Sequence, residues 1–197
     1  MQRAVFASNN AGKVAEVAEM LRPTGYTVVP QSEYLVPEAE ETGLTFVENA
    51  LIKARNACQY TSLPTIADDS GLEVDALQGE PGIHSARYAG EHGDDAANNS
   101  LLLAELAGIP EPQRTARFRC VMVYLRHAED PAPLICQGVW EGRILEAPRG
   151  EAGFGYDPVF WVPGENCSAA ELPPETKNRL SHRGQALGAL LRALRGG

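Results

Sequence analysis

Residues 4–29 spell a single β-α-β unit, and that unit decides what kind of fold can follow. Residues 4–7 (AVFA) read as a short buried strand. Val14, Val17, Ala18 and Leu21 then recur at helical spacing through residues 12–21, and Pro23 with Gly25 ends the helix. Residues 26–29 read as a second strand. Two strands joined by a helix run parallel, so the chain is predicted to build an α/β sheet covered by helices. A length of 197 residues suits one domain, or two lobes sharing one core.

Beyond this unit, residues 32–43 are acidic and irregular. Thr45-x-x-Glu48 is a capping box for a helix whose buried stripe is Phe46, Val47, Ala50, Leu51, Ala54, Ala57 and Cys58. Asn49 and Lys53, four residues apart, lie together along one edge of that stripe. Residues 65–67 predict a short strand running into Asp68-Asp69-Ser70-Gly71, with a further strand over 72–76. A glycine-rich loop covers 79–93, and residues 98–106 are helical. The strongest strand pattern is 117–126, with 134–144 as its antiparallel partner across a short turn. Residues 153–158 open a loop, 159–162 are apolar, and Ser181 is expected to cap a C-terminal helix carrying Leu187, Leu190, Leu191 and Leu194.

Composition narrows the function. The formal net charge of −9 argues against a nucleic-acid surface, which needs clustered Lys and Arg, but leaves room for a small anionic ligand at a local positive site. The sequence has no signal-peptide pattern and no run near ~18 apolar residues, so no membrane partner and a cytoplasmic location are expected. The four cysteines form no C-x-x-C pair, which speaks against zinc and redox motifs. Only three of the 17 basic residues are lysines: Lys13, Lys53 and Lys177. Each falls in a segment with chemical potential, where a compact ammonium suits a phosphate.

Five segments are candidates for chemistry. SNNAGK (Ser8, Asn9, Asn10, Ala11, Gly12, Lys13) lacks the first glycine and final Ser/Thr of a Walker loop, so it is no P-loop. It remains either a helix N-terminus that attracts an anion or a plain cap by Asn9 or Asn10 with a solvated lysine. Asp68 and Asp69, at the end of an apolar strand, repel each other and are costly to desolvate. A divalent cation or a catalytic role would explain them, and a solvated Asx-turn is the alternative. Glu40-Glu41 offers further oxygen ligands, or is a solvated acidic loop. Phe154 and Tyr156, beside Gly155 and Asp157, either sandwich a planar base or anchor the core. Finally, Lys177, Arg179, His182 and Arg183 cluster around a helix start, where cations oppose the dipole and a bound anion would compensate.

Taken together, SNNAGK, TGLTFVENALIKA, IADDSGL, SARYAG, GFGYDP and SHRGQAL resemble the inosine/xanthosine triphosphate pyrophosphatase family, and within it the bacterial dITP/XTP pyrophosphatases. The motifs run in order from residue 8 to residue 187. The resemblance implies a single pyrophosphatase domain over residues 1–197: a two-lobed α/β subunit on a mixed, largely continuous β-sheet flanked by helices, with the nucleotide in a cleft between the lobes. It also implies a homodimer, a purine nucleoside triphosphate substrate, a Mg²⁺ requirement, and hydrolysis to the monophosphate and pyrophosphate. Carried over by position, Ser8, Asn9, Asn10, Ala11, Gly12 and Lys13 would hold the triphosphate. Glu41 and Asp69 would bind the metal, with Asp69 also the base. Lys53 and Asp68 would support that centre, and Ser70 would touch substrate. Phe154, Gly155, Tyr156, Asp157, Lys177, His182 and Arg183 would bind the nucleotide, mainly its base end.

Overall fold

In the computed structural model, which describes residues 2–196, β1 (Gln2–Phe6), α1 (Ala11–Leu21) and β2 (Tyr26–Pro30) form the expected parallel unit, with Val5 opposite Val29. α2 (Phe46–Thr61) follows and leads to β3 (Thr65–Val74), which pairs parallel with β1 through Val5–Thr65 and Phe6–Ile66. α3 (Asp95–Glu105), β4 (Thr115–Leu125), β5 (Leu134–Ile144), β6 (Phe160–Val162), β7 (Cys167–Ser168), α4 (Pro174–Leu180) and α5 (His182–Gly196) complete the chain. The seven strands lie in the order β2-β1-β3-β4-β5-β6-β7, and β6 is antiparallel to both of its neighbours, so the sheet is mixed as expected. Among the described residues no helix is long and apolar enough to cross a membrane.

The chain divides into two compact units. The first comprises the segment ending at Asp69, Cys120–Gly138, and the segment starting at Arg183; the second comprises Ser70–Arg119 and Val139–His182. Strand alternation organises the first unit. Ala4, Phe6 and Ile66 bury one face against Val17 and Leu21 of α1 and Ala186, Leu187 and Leu190 of α5. Val5, Ala7 and Ala67 bury the other face against Ala50, Ala54, Ala57 and Cys58 of α2. The core of the second unit gathers Leu72 and Val74 with Leu102 and Leu106, Phe118, Trp140, Tyr156 and Phe160.

Two local expectations change. Asp68 to Gly71 form no turn but lie inside the uninterrupted β3. The turn preference of Asp, Ser and Gly is overridden because cations on both faces of the strand satisfy the two carboxylates. The cap that residues 45–48 predict is in place: Thr45 Oγ1 accepts the Glu48 N–H, and the Glu48 carboxylate accepts from Leu44 N–H and the Thr45 hydroxyl. Lys177 and Arg179, however, fall in the last turn of α4, where the helix dipole favours cations, so their charges call for no bound anion.

The second unit depends on a buried arginine with a purely structural task. Arg114 donates to the carbonyls of Ile109 (2.9 Å), Leu106 (3.0 Å) and Leu145 (3.1 Å), tying the end of α3 to the segment after β5. Arg114→Met removes the side-chain donor from three carbonyls, of which Leu106 O keeps the Ile109 N–H. It is expected to lower the urea unfolding free energy by about 3 kcal/mol, measured against wild type at matched pH.

Candidate active site

The first unit carries charges on both faces of β3. Successive strand residues point to opposite faces, so Asp68 continues the face of Ile66, toward α1 and α5, and Asp69 that of Ala67, toward α2. The two adjacent carboxylates therefore have different ion-pair partners.

Asp68 is fully buried. Its Oδ2 receives Lys13 Nζ at 3.1 Å, Arg183 Nε at 3.3 Å and Nη2 at 3.4 Å, with the Cys120 thiol donating at 4.0 Å. Glu16 of α1 takes the remaining edge of the Arg183 guanidinium at 2.6 Å. Burial alone would raise the Asp68 pKa, but Lys13, Arg183 and Lys53 outweigh it and hold the carboxyl well below the usual range. Burial pushes the Cys120 thiol up to about 12, Asp68 adding to the effect, so this cysteine is chemically inert.

Asp69 meets a different cation. Lys53 of α2 donates to Oδ1 at 2.9 Å and stands 3.2 Å from Glu41 Oε1. Burial lifts the Asp69 carboxyl above its ordinary range even against Lys53 and Lys13, and Glu41 acts in the same direction. Burial disfavours the Lys53 ammonium, but Asp69, Asp68 and Glu41 together raise its pKa, so it stays charged. Asp69 Oδ2 is buried and accepts no hydrogen bond among the described residues. Glu41 is held close by its loop. Gly43 N–H donates to Oδ1 of the buried Asn49 at 2.8 Å. A Cβ at Gly43 would lie 2.5 Å from Glu48 Cβ and 2.7 Å from Asn49 Oδ1, so only glycine permits this approach.

These residues fit Mg²⁺. The donors are hard carboxylate oxygens, and Asp69 Oδ2, which accepts no hydrogen bond among the described residues, would with Glu41 supply the one or two carboxylates that Mg²⁺ usually takes. Among the described residues no group of three or more His, Cys, Asp or Glu could hold a metal.

Residues 8–13 show the cap that their sequence offered, made by Asn10, but not its solvated lysine. Asn10 caps α1 by accepting Lys13 N–H at 3.0 Å, Ser8 Oγ accepts Asn10 N–H at 3.2 Å, and Asn9 Oδ1 accepts the Gln31 amide at 3.1 Å. Ala11 and Gly12 form the first turn, which contains no acidic residue. The lysine, however, is not solvated; it is the partner of Asp68.

The second unit holds the loop 153–157. Its centre is Asp157, whose Oδ2 accepts Phe154 N–H at 2.9 Å and Lys177 Nζ at 2.7 Å, with Gly153 (φ +83°) packed directly against it. Lys177 Nζ sits 4.7 Å from the Phe154 ring centroid, a cation–π contact. Tyr156 belongs to the hydrophobic core and donates its hydroxyl to Ser85 O at 2.8 Å, so it is an anchor, while Phe154 stays half-buried. The His182 ring stacks on Phe118, centroids 4.8 Å apart and planes within 11°. Ser70 is half-buried on β3. Arg183, expected with the base-end residues, is engaged by Asp68 and Glu16 in the first unit. Sequence reasoning passed over Glu16, although its place one turn after Lys13 was a usable signal. It noted Asn49 beside Lys53 but assigned it nothing. Asp95 and Asn99, which hold Gly155, gave no sequence signal.

Asp68 leads to a pH prediction with a definite sign. A carboxyl whose folded pKa is lowered contributes stability that is complete above the unfolded value and is lost as pH falls toward the folded one. Asp68→Asn is therefore expected to lower unfolding free energy at neutral pH by about 3 kcal/mol, since the buried Arg183 and the partly buried Lys13 lose their partner. It should also flatten the loss of stability that wild type shows between about pH 5 and pH 2. Urea titrations of both proteins across that range check it.

The Ham1 family model matches residues 4–193. The dITP/XTP pyrophosphatase of Vibrio cholerae serotype O1 is 60% identical over 194 residues, covering 98% of this chain and 97% of its own. The protein of the same name from Escherichia coli O157:H7 is 58% identical over 197 residues, covering 100% of both. Among solved structures, a HAM1 protein from Coxiella burnetii aligns with a TM-score of 0.91 at 50% identity over 100% of both chains. A nucleoside-triphosphatase/dITP/XTP pyrophosphatase from Mycobacterium abscessus aligns with a TM-score of 0.74 at 46% identity, covering 98% of this chain and 100% of that one. With its motifs, fold and near-full-length match in accord, the chain belongs to the Ham1 family.

Proposed function

We propose that this protein is a Mg²⁺-dependent nucleoside triphosphate pyrophosphohydrolase acting on deaminated purine nucleotides (ITP, dITP and XTP) and keeping them out of DNA and RNA. The observation that carries the reading is Asp69: one carboxylate oxygen held by Lys53, the other buried and unengaged, and Glu41 within reach of the same lysine. The names of the relatives support the substrate class. The single domain is proposed to work as a cytoplasmic homodimer.

The reaction adds water across the α–β phosphoanhydride, giving monophosphate and pyrophosphate. When bound, Mg²⁺ supplies charge neutralisation for the polyphosphate. Residues 8–13 receive the phosphates at the α1 N-terminus, with Lys13 as point charge. Lys53 fixes the Asp69 carboxylate, and Asp69 orients the attacking water and accepts its proton, a task suited to a carboxyl with a raised pKa. Asp68, locked by Lys13 and Arg183, keeps the lysine in place. Phe154 and His182, with Lys177 and Asp157 behind the loop, serve base recognition, and Ser70 touches substrate. Donors near His182 would pair with the 6-oxo group of hypoxanthine or xanthine and face the amino donor of adenine, a mismatch of about 1–3 kcal/mol per unsatisfied group.

A panel of ITP, XTP, GTP and ATP with Mg²⁺ tests the reading. Pyrophosphate and monophosphate should form fastest from ITP and XTP. Orthophosphate with the diphosphate would show a phosphatase instead, persistence of ITP a binding protein, and equal hydrolysis of all four would refute the specificity. Asp69→Asn is expected to lower kcat by about 10²–10⁴-fold at saturating Mg²⁺. Asn49→Ala, which releases the Glu41 loop, should raise the Mg²⁺ concentration for half-maximal rate by about 10–100-fold, with a smaller effect on kcat at saturation.

A further inference from the structure

The loop that carries Phe154 is fixed at its two ends, by Phe154 N–H on Asp157 and by the Tyr156 hydroxyl on Ser85 O. Its middle residue, Gly155, is held by α3. Gly155 N–H donates to Asp95 Oδ2 at 2.6 Å, and Asn99 Nδ2 donates to Gly155 O at 2.8 Å. Both polar groups of one residue are thus taken by side chains a helical turn apart. Asn99 Nδ2 also donates to Asp95 O at 2.8 Å, so the two clamping residues brace each other. Gly155 has φ +61°, and a Cβ added to it would meet nothing within 4 Å, so the glycine is there for its backbone conformation and not for lack of space.

The same stretch of α3 steadies a second loop. Asn98 accepts Ala89 N–H at 2.7 Å and donates to Ala86 O at 3.4 Å, holding the segment that also contains Ser85, the acceptor for Tyr156. α3 is therefore a polar scaffold, and the Asp95–Asn99 pair is its hydrogen-bonded link to residue 155. A rotation of the peptides flanking Gly155 would swing Phe154, whose ring is the half-buried aromatic of the loop, while Tyr156 stays in the core.

We propose that Asp95 and Asn99 are positioning residues for base selectivity, clamping both backbone polar groups of Gly155 and so fixing the Phe154 ring against which the purine is read. This rests on the functional reading above, since it names what sets the selectivity of the proposed base end. Neither residue touches the reacting phosphates, so the clamp acts on binding of the base and not on the chemical step.

The test is steady-state pyrophosphate release from ITP and GTP by wild type, Asp95→Ala, Asp95→Asn and Asn99→Ala, each checked for a cooperative thermal unfolding transition. Asp95→Ala and Asn99→Ala are expected to raise KM for ITP by about tenfold, the scale of one lost charge-assisted or buried hydrogen bond, and to narrow the ITP-over-GTP ratio of kcat/KM. Their kcat should change by less than about threefold. Asp95→Asn keeps an acceptor oxygen and should recover most of the wild-type KM. If Asp95→Ala does not fold, Asn99→Ala and Asp95→Asn carry the comparison. A wild type that prefers ITP, with folded Ala variants that keep its KM and its preference, overturns the clamp. A wild type that releases no pyrophosphate from ITP overturns the functional reading, and the proposed role of the clamp with it.

Discussion

Everything at the candidate site follows from two adjacent aspartates on one buried strand. A strand sends neighbours to opposite faces, so Asp68 and Asp69 are separated by the sheet itself rather than by distance along the chain. Two carboxylates so close would otherwise raise each other's pKa. Here each is given its own cations: Lys13 and Arg183 on the α1/α5 face, Lys53 on the α2 face. The outcome is two chemically different groups of one residue type. Asp68 is saturated with positive charge and locked as an anion. Asp69 holds one cation, remains harder to ionise, and keeps an oxygen unengaged. Division of labour between like carboxyls set apart by environment is a general route to acid–base function.

The second unit uses one carboxylate in the same economical way. Asp157 accepts a backbone N–H from its own loop and the Lys177 ammonium, and the ammonium in turn lies over Phe154. One anion thereby orders a turn, a lysine and an aromatic ring. Burial of this pair makes its geometry exacting, because an ammonium left without its carboxylate in such a place is costly.

Much of this was legible in the sequence. The β-α-β opening, the α2 stripe and the β4–β5 strands follow from periodicity, which reports burial directly, and they appear where expected. The six motifs pointed to the family that the comparisons then showed. What failed was local inference about polar residues. DDSG looked like a turn because its residues prefer turns when solvated; the partners that make it strand lie some 55 residues before it and 115 after it, at Lys13 and Arg183. For the same reason Glu16 and Asn99 escaped notice, since a helix-surface Glu or Asn acquires a task only when a distant segment folds against it. The assignment of Arg183 to the base end was a carry-over by motif, and its carboxylate partners give it a different immediate task.

The Lys13–Asp68 pair has a consequence for how the molecule deals with anions. An ammonium already matched by a carboxylate creates little field beyond itself, so the free protein does not present a strongly attractive basin for every phosphate in solution. Under the proposed reaction a polyphosphate would share Lys13 with Asp68, and the hold on the ground state would be correspondingly moderate. Under the proposed reaction that moderation favours turnover: interactions that strengthen only as charge develops raise the rate, whereas a tight grip on substrate or released pyrophosphate would not. Under that reading the pair would work as an electrostatic governor, trading affinity at rest for throughput.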